Sequence, residues 1–122
     1  MESKSGYEVL QERYNSKFID RFCGFEVLNG WHNLIKQLFE DLEKSDWQGQ
    51  VIQIKEKFGG LRFYVDGATD EQYKLINAAE DKSYEICEVC GEVGIVRKGG
   101  WVRTLCDVHE AERIEYQKQF KI

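Results

Sequence analysis

Residues 87–109 read CEVCGEVGIVRKGGWVRTLCDVH, and the fold of the C-terminal third follows from them. Cys87 and Cys90 form a Cys-x2-Cys pair, and Cys106 and His109 form a Cys-x2-His pair fifteen residues further on. Two thiolates at that spacing can point at one ion, and a second pair completes the four-ligand shell of a structural Zn²⁺ site. Thiolates with an imidazole suit zinc. A four-ligand shell leaves no open position for catalysis, so the metal is expected to be structural. Reduced core thiols have no reason to fall at two paired spacings. A redox Cys-x2-Cys would leave the second pair idle.

Working outward, Gly91 and Gly94 are read as the turn of the knuckle. Ile95–Lys98 and Trp101–Thr104, joined by Gly99-Gly100, read as a hairpin, and Asp107 to Phe120 as a helix. Knuckle, hairpin, then a helix whose first turn carries the last two ligands, Cys106 and His109, is a treble-clef-like layout.

Upstream, Gln50–Phe58 and Leu61–Asp66 alternate in polarity around Gly59-Gly60, the pattern of a β-hairpin. Ile52 and Ile54 are placed on one face, as are Leu61, Phe63 and Val65, while Lys55 and Lys57 share an edge or face to which the second strand adds Arg62. Before the hairpin, Trp31, Leu34, Ile35, Leu38, Phe39 and Leu42 mark one face of a helix that Asn29 would cap. Val9, Leu10, Tyr14, Phe18, Ile19 and Phe22 predict a first helix over 7–22. Thr69 with Gln72 predicts a capping box, opening a helix that carries Tyr73, Ile76, Ala79 and Tyr84 inward. The fold class expected is α+β: N-terminal helices packed on a hairpin over 1–85, and a zinc module over 86–122, without a linker.

Composition narrows the function. The chain carries a net charge of −5, and 42% of its residues are hydrophobic, so it can bury a core. Residues 1–85 hold 11 Lys/Arg against 16 Asp/Glu, whereas residues 86–122 hold 6 of each. An acidic protein disfavours broad non-specific nucleic-acid binding, although a local basic patch survives that argument. No stretch of ~20 apolar residues suggests a membrane span. No charged start followed by an apolar run marks a secretory signal. A cytoplasmic, reducing location is expected, where closely spaced cysteines serve metals.

No catalytic set stands out. Of two histidines, His109 is a metal ligand and His32 lies on the second helix. Cys23 is expected to be a small buried thiol and His32 a boundary imidazole. Two clusters are candidate partner contacts: Lys55, Lys57, Arg62 and Tyr64 on the first hairpin, and Arg97, Lys98, Trp101 and Arg103 on the second. Basic residues beside aromatics suit phosphate contact and base stacking, or anchors for a protein. The packing expectation for Phe63 and Trp101 themselves is core.

The strings Ile54–Tyr64 (IKEKFGGLRFY) and Cys87–Gly91, with Gly100-Trp101, Thr104–Asp107 and Gly30-Trp31, resemble a set of short bacteriophage and prophage proteins. The likeness runs from about residue 30 to residue 112 and includes the four metal ligands. It implies a phage origin, a host-cell cytoplasmic setting and a zinc site, and it names no catalytic residue. The leading expectation is a non-enzymatic, zinc-stabilised protein that binds a host or defence component. The alternatives are a nucleic-acid-binding regulator and a sequestering protein for a phosphorylated nucleotide, with Arg62, Arg97 and Arg103 as phosphate forks.

Overall fold

A computed structural model describes residues 5–119; the expected helix end at Phe120 lies outside them. The fold is α+β. A three-stranded sheet, ordered β1-β2-β3, is built from Phe25–Glu26, Gln50–Lys57 and Gly60–Asp66. β2 and β3 form the expected antiparallel hairpin, with Ile54 opposite Phe63 and Lys57 opposite Gly60. β1 runs parallel to β2, so the chain between them must cross over through the second helix.

Two details of the hairpin depart from simple alternation. The turn is Phe58-Gly59 rather than Gly59-Gly60, with φ of 55° and 83°, both positive as a tight two-residue hairpin turn requires. Gly60 instead opens β3, and a Cβ there would strike the Tyr84 ring. The second departure is a bulge between Val51 and Gln53. It turns Ile52 out to solvent, 42% exposed, while Val51 and Ile54 are both buried. Ile52 and Ile54 therefore do not share a face.

The helices are α1 (Gly6–Arg13), α2 (His32–Lys44), α3 (Asp70–Ser83) and α4 (Asp107–Gln119). α1 is capped by Ser5, whose hydroxyl accepts the Glu8 N–H, and it stops well short of residue 22. A 3-10 turn follows at Asn15–Lys17, and Phe18 is extended. The helical spacing of Phe18 and Phe22 has another use. Phe18 bridges to Val51, and the rings of Phe18, Phe22, Phe25 and Phe39 cluster with centroids 4.5–5.9 Å apart. Val9, on the discarded face, is exposed.

α2 behaves as its periodicity predicts, burying Ile35, Leu38, Phe39 and Leu42, with Trp31 buried just before it. Asn29 does not cap it through its side chain. It begins a 3-10 turn whose carbonyl accepts the His32 N–H. α3 has the expected capping box between Thr69 and Gln72. Its inner face is Gln72, Ile76, Ala79 and Ser83, so Tyr73 is exposed and Tyr84 half-buried. Gln72 takes the inward position because its amide donates to the Ser45 carbonyl at 3.1 Å.

α1, α2, α3 and the sheet share one core, whose buried residues run from Tyr7 to Ala79 and include Phe63 as expected. Burying each large apolar side chain contributes roughly 1.5–3 kcal/mol. α3 also closes the outer edge of β3. Ser83 Oγ accepts the Leu61 N–H at 2.9 Å, and a Glu80 carboxylate oxygen accepts the Phe63 N–H at 2.8 Å. The other face of the sheet carries Lys55, Lys57, Arg62 and Tyr64. Among the described residues no helix is long and apolar enough to cross a membrane.

Candidate metal centre

The knuckle forms because backbone groups around Cys87 are fully used. Cys87 N–H donates to the Glu92 carbonyl at 2.7 Å, and Gly91 N–H donates to the Cys87 carbonyl at 2.9 Å. Gly91 needs its glycine, with φ of 85°. Gly94 is needed for a different reason: its φ is ordinary, but a Cβ would sit 2.7 Å from the Cys87 nitrogen. β4 (Ile95–Arg97) and β5 (Arg103–Leu105) then form the expected hairpin, with Gly99 and Gly100 at its tip. β5 delivers Cys106 to the start of α4, whose first turn carries His109.

The four ligand atoms, three Sγ and an imidazole nitrogen, lie within 4.8 Å of one another. A tetrahedral ion with bonds of about 2.3 Å to sulfur and 2.0–2.1 Å to nitrogen implies ligand separations of about 3.5–3.8 Å. Cys90 and Cys106 Sγ are 3.8 Å apart, Cys87 Sγ and His109 Nδ1 are 3.6 Å apart, and Cys106 Sγ and His109 Nδ1 are 3.2 Å apart. The residues fit a single metal ion and could hold it. Burial would push the Cys87 thiol up, but bonds from the backbone of Cys106, Cys90 and Val89 outweigh it and hold the pKa at about 7. That favours the thiolate a metal requires. His109 presents Nδ1 to the cluster and has Glu112 3.9 Å from Nε2, a carboxylate on the far side of the ring.

A buried carboxylate that the sequence reading missed braces this centre. Glu88, between the first two ligands, accepts from Arg103 Nε at 3.0 Å and from the Thr104 N–H at 3.1 Å. The centre is also sewn to the helical part. Gly30 N–H donates to the Glu88 carbonyl at 2.9 Å, Trp31 Nε1 to the Ile86 carbonyl at 3.0 Å, and Thr104 Oγ1 to the Gly59 carbonyl at 2.6 Å.

The two basic clusters fare differently. Arg97 binds Asp107 at 2.8 Å and the Leu105 carbonyl at 3.2 Å, and Arg103 is held by Glu88. Both guanidinium groups are thus committed inside the zinc-motif lobe. Lys98 and Trp101 are exposed, and Trp101, expected in the core, is 73% exposed on its glycine tip. By contrast Lys55, Lys57 and Arg62 make no ion pair among the described residues. Arg62 donates to the Leu61 carbonyl and the Tyr84 hydroxyl, and the Lys55 ammonium lies 5.8 Å from the Tyr64 ring centre.

Beside Trp101 lies a groove of about 660 Å³ between Phe25–Leu28 and α4. Phe25, Val27, Leu28, Trp31 and Tyr116 give it apolar walls, and Arg103 and Arg113 lie along it. Arg113 is paired with Glu110 at 2.7 Å, one helical turn away. Glu26 and Glu56 also line the groove and make no ion pair among the described residues. Cys23, expected buried, is exposed, and His32 sits half-buried against Tyr7, as a boundary imidazole should. Comparison of the chain with protein-family models, curated proteins and solved structures gives no match.

Proposed function

We propose that this protein is a zinc-stabilised, non-enzymatic interaction module that grips a segment of a partner protein in the groove beside Trp101. The observation that carries the reading is the placement of Trp101. A tryptophan held 73% exposed on the rim of an apolar groove is costly to leave in water and well suited to anchor a partner. The metal is assigned as zinc from the three thiolates, the imidazole and separations that suit tetrahedral bonds. Its part is to fix the hairpin that presents the tryptophan.

Charge selects the occupant. Arg103 and Arg113 are paired with Glu88 and Glu110, which leaves Glu26 and Glu56 as the groove charges without an ion pair among the described residues. The matching partner segment carries an apolar anchor flanked by Lys or Arg. The resemblance to phage proteins points to a host or defence protein in the host-cell cytoplasm as its source. The test is selection of a displayed random peptide library on the immobilised protein, with metal content measured alongside. Stoichiometric zinc, and enriched peptides of aromatic or Leu residues beside Lys/Arg that Trp101→Ala weakens at least about tenfold, are expected. Enrichment indifferent to Trp101→Ala would remove the groove as the binding site.

A further inference from the structure

We propose that the open face of the three-stranded sheet is a second binding surface, a platform for a short stretch of single-stranded nucleic acid. This goes beyond the groove and does not depend on it.

Strand register assembles the surface. Lys55 stands directly opposite Arg62 across the β2–β3 ladder. Side chains two apart share a face, so Lys57 lies with Lys55, and Tyr64 with Arg62. Like charges directly opposite on a sheet repel and destabilise it. The chain has acids in excess, yet none lies within ion-pair distance of Lys55, Lys57 or Arg62 among the described residues. Arg97, Arg103 and Arg113 all have carboxylate partners. Glu26 stands beside Lys55 and Glu80 acts on Arg62 from the outer edge of β3, but neither closes an ion pair, so an anion from outside would relieve the repulsion further.

The face also offers planar groups. Tyr64 is 40% exposed, with the Lys55 ammonium beside its ring. Tyr84 packs over Gly60 and steadies Arg62 through a hydrogen bond of 3.1 Å, which holds the guanidinium fork in place before any ligand arrives. From Gly60 to Tyr64 the platform runs about 13 Å along β3. Aromatic rings interleaved with cations suit bases that stack and phosphates that pair, a combination an acidic peptide would not use. On this face Glu26 stands beside Lys55 in the β1–β2 register and Asp66 closes the far end of β3, so a long polyanion cannot track the whole sheet. Nothing on the platform reads base edges in a fixed pattern, so binding is expected without strong sequence preference.

Fluorescence anisotropy with labelled oligothymidylate and oligouridylate of about 12 nucleotides tests the proposal. At ~50 mM salt the protein should bind both, and raising salt to ~200 mM should weaken binding about twentyfold, as expected for some three phosphate contacts to a single strand. Lys55→Glu with Arg62→Glu should abolish binding, and Tyr64→Ala should weaken it about tenfold. Tyr64 is exposed and Lys55 and Arg62 are half-buried outside the apolar core, and unchanged metal content and circular dichroism would certify the fold of both variants. No binding by the wild-type chain at ~50 mM salt overturns the proposal. So does binding that Tyr64→Ala leaves intact, or that polyglutamate competes away as well as an oligonucleotide, because either marks a general anion patch.

Discussion

Helices α2 and α4 are each thirteen residues long, and only one of them has an inside. α2 buries Ile35, Leu38, Phe39 and Leu42, whereas α4 has no buried residue along its described length. The buried residues of the apolar cluster lie between Tyr7 and Ala79, and beyond residue 85 only Cys87 and Leu105 count among the buried hydrophobic residues described. Apolar area stabilises the first region. The second relies on directional bonds: the Cys/His cluster, the Glu88 carboxylate and the arginine pairs. A lobe of under forty residues cannot build a sufficient core, and metal coordination is the usual substitute.

The harshest test of this contrast is metal removal. A strong chelator should unfold β4, β5 and α4, because structural zinc sites contribute roughly 10–16 kcal/mol of folding free energy. Amide hydrogen exchange should lose protection from residue 86 onward while α2 stays protected. Retained protection in α4 would break the comparison. Leu42→Ala should do the converse, costing about 2–5 kcal/mol in denaturant unfolding with little change in metal affinity. Gly30→Ala probes the seam. Its Cβ would collide with the Cys87 and Glu88 backbone, so a loss of roughly 1–3 kcal/mol is expected together with weaker metal binding in a competition titration. An unchanged metal affinity would show that the two regions are held independently.

Glu80 gives the smallest effect. Burial raises its carboxyl pKa, and the Phe63 N–H and Arg62 pull it back only in part. The folded chain then binds the proton more tightly than the unfolded chain. The favourable contribution is complete below the unfolded value of ~4.3 and is lost as pH rises through the higher folded value. Glu80→Gln, which can still accept the Phe63 N–H, should raise Tm slightly at about pH 7 and not at about pH 4. Thermal melts at the two pH values decide it, and a gain of equal size at both would rule out titration as the cause.

The legible parts were those written in short range. The ligand spacing, the amphipathic stripe of α2 and the Thr69–Gln72 box each depend on residues within a few positions, and each stands in the structure. What escaped depends on contacts remote in sequence. Phe18 and Phe22 have helical spacing, but the sheet edge claims them. Ile52 alternates correctly until a bulge rotates it outward. β1 is two residues long and exists only because β2 is there to pair with it. At the site, nothing local says that Glu88 will turn inward to meet Arg103, or that Trp101 will be left in water while Phe63 is not. Among the described residues the first basic cluster makes no ion pair, whereas Arg97 and Arg103 of the second do, which is a matter of which carboxylates the fold brings near.

The side-chain bonds from Ser83 and Glu80 to β3 reach beyond stability. They occupy the Leu61 and Phe63 amides that would otherwise recruit another strand. A margin with those two amides taken is a poor template for polymerisation, and a visiting polypeptide finds little backbone there to zip onto. Recognition on that side must therefore be conducted by side chains.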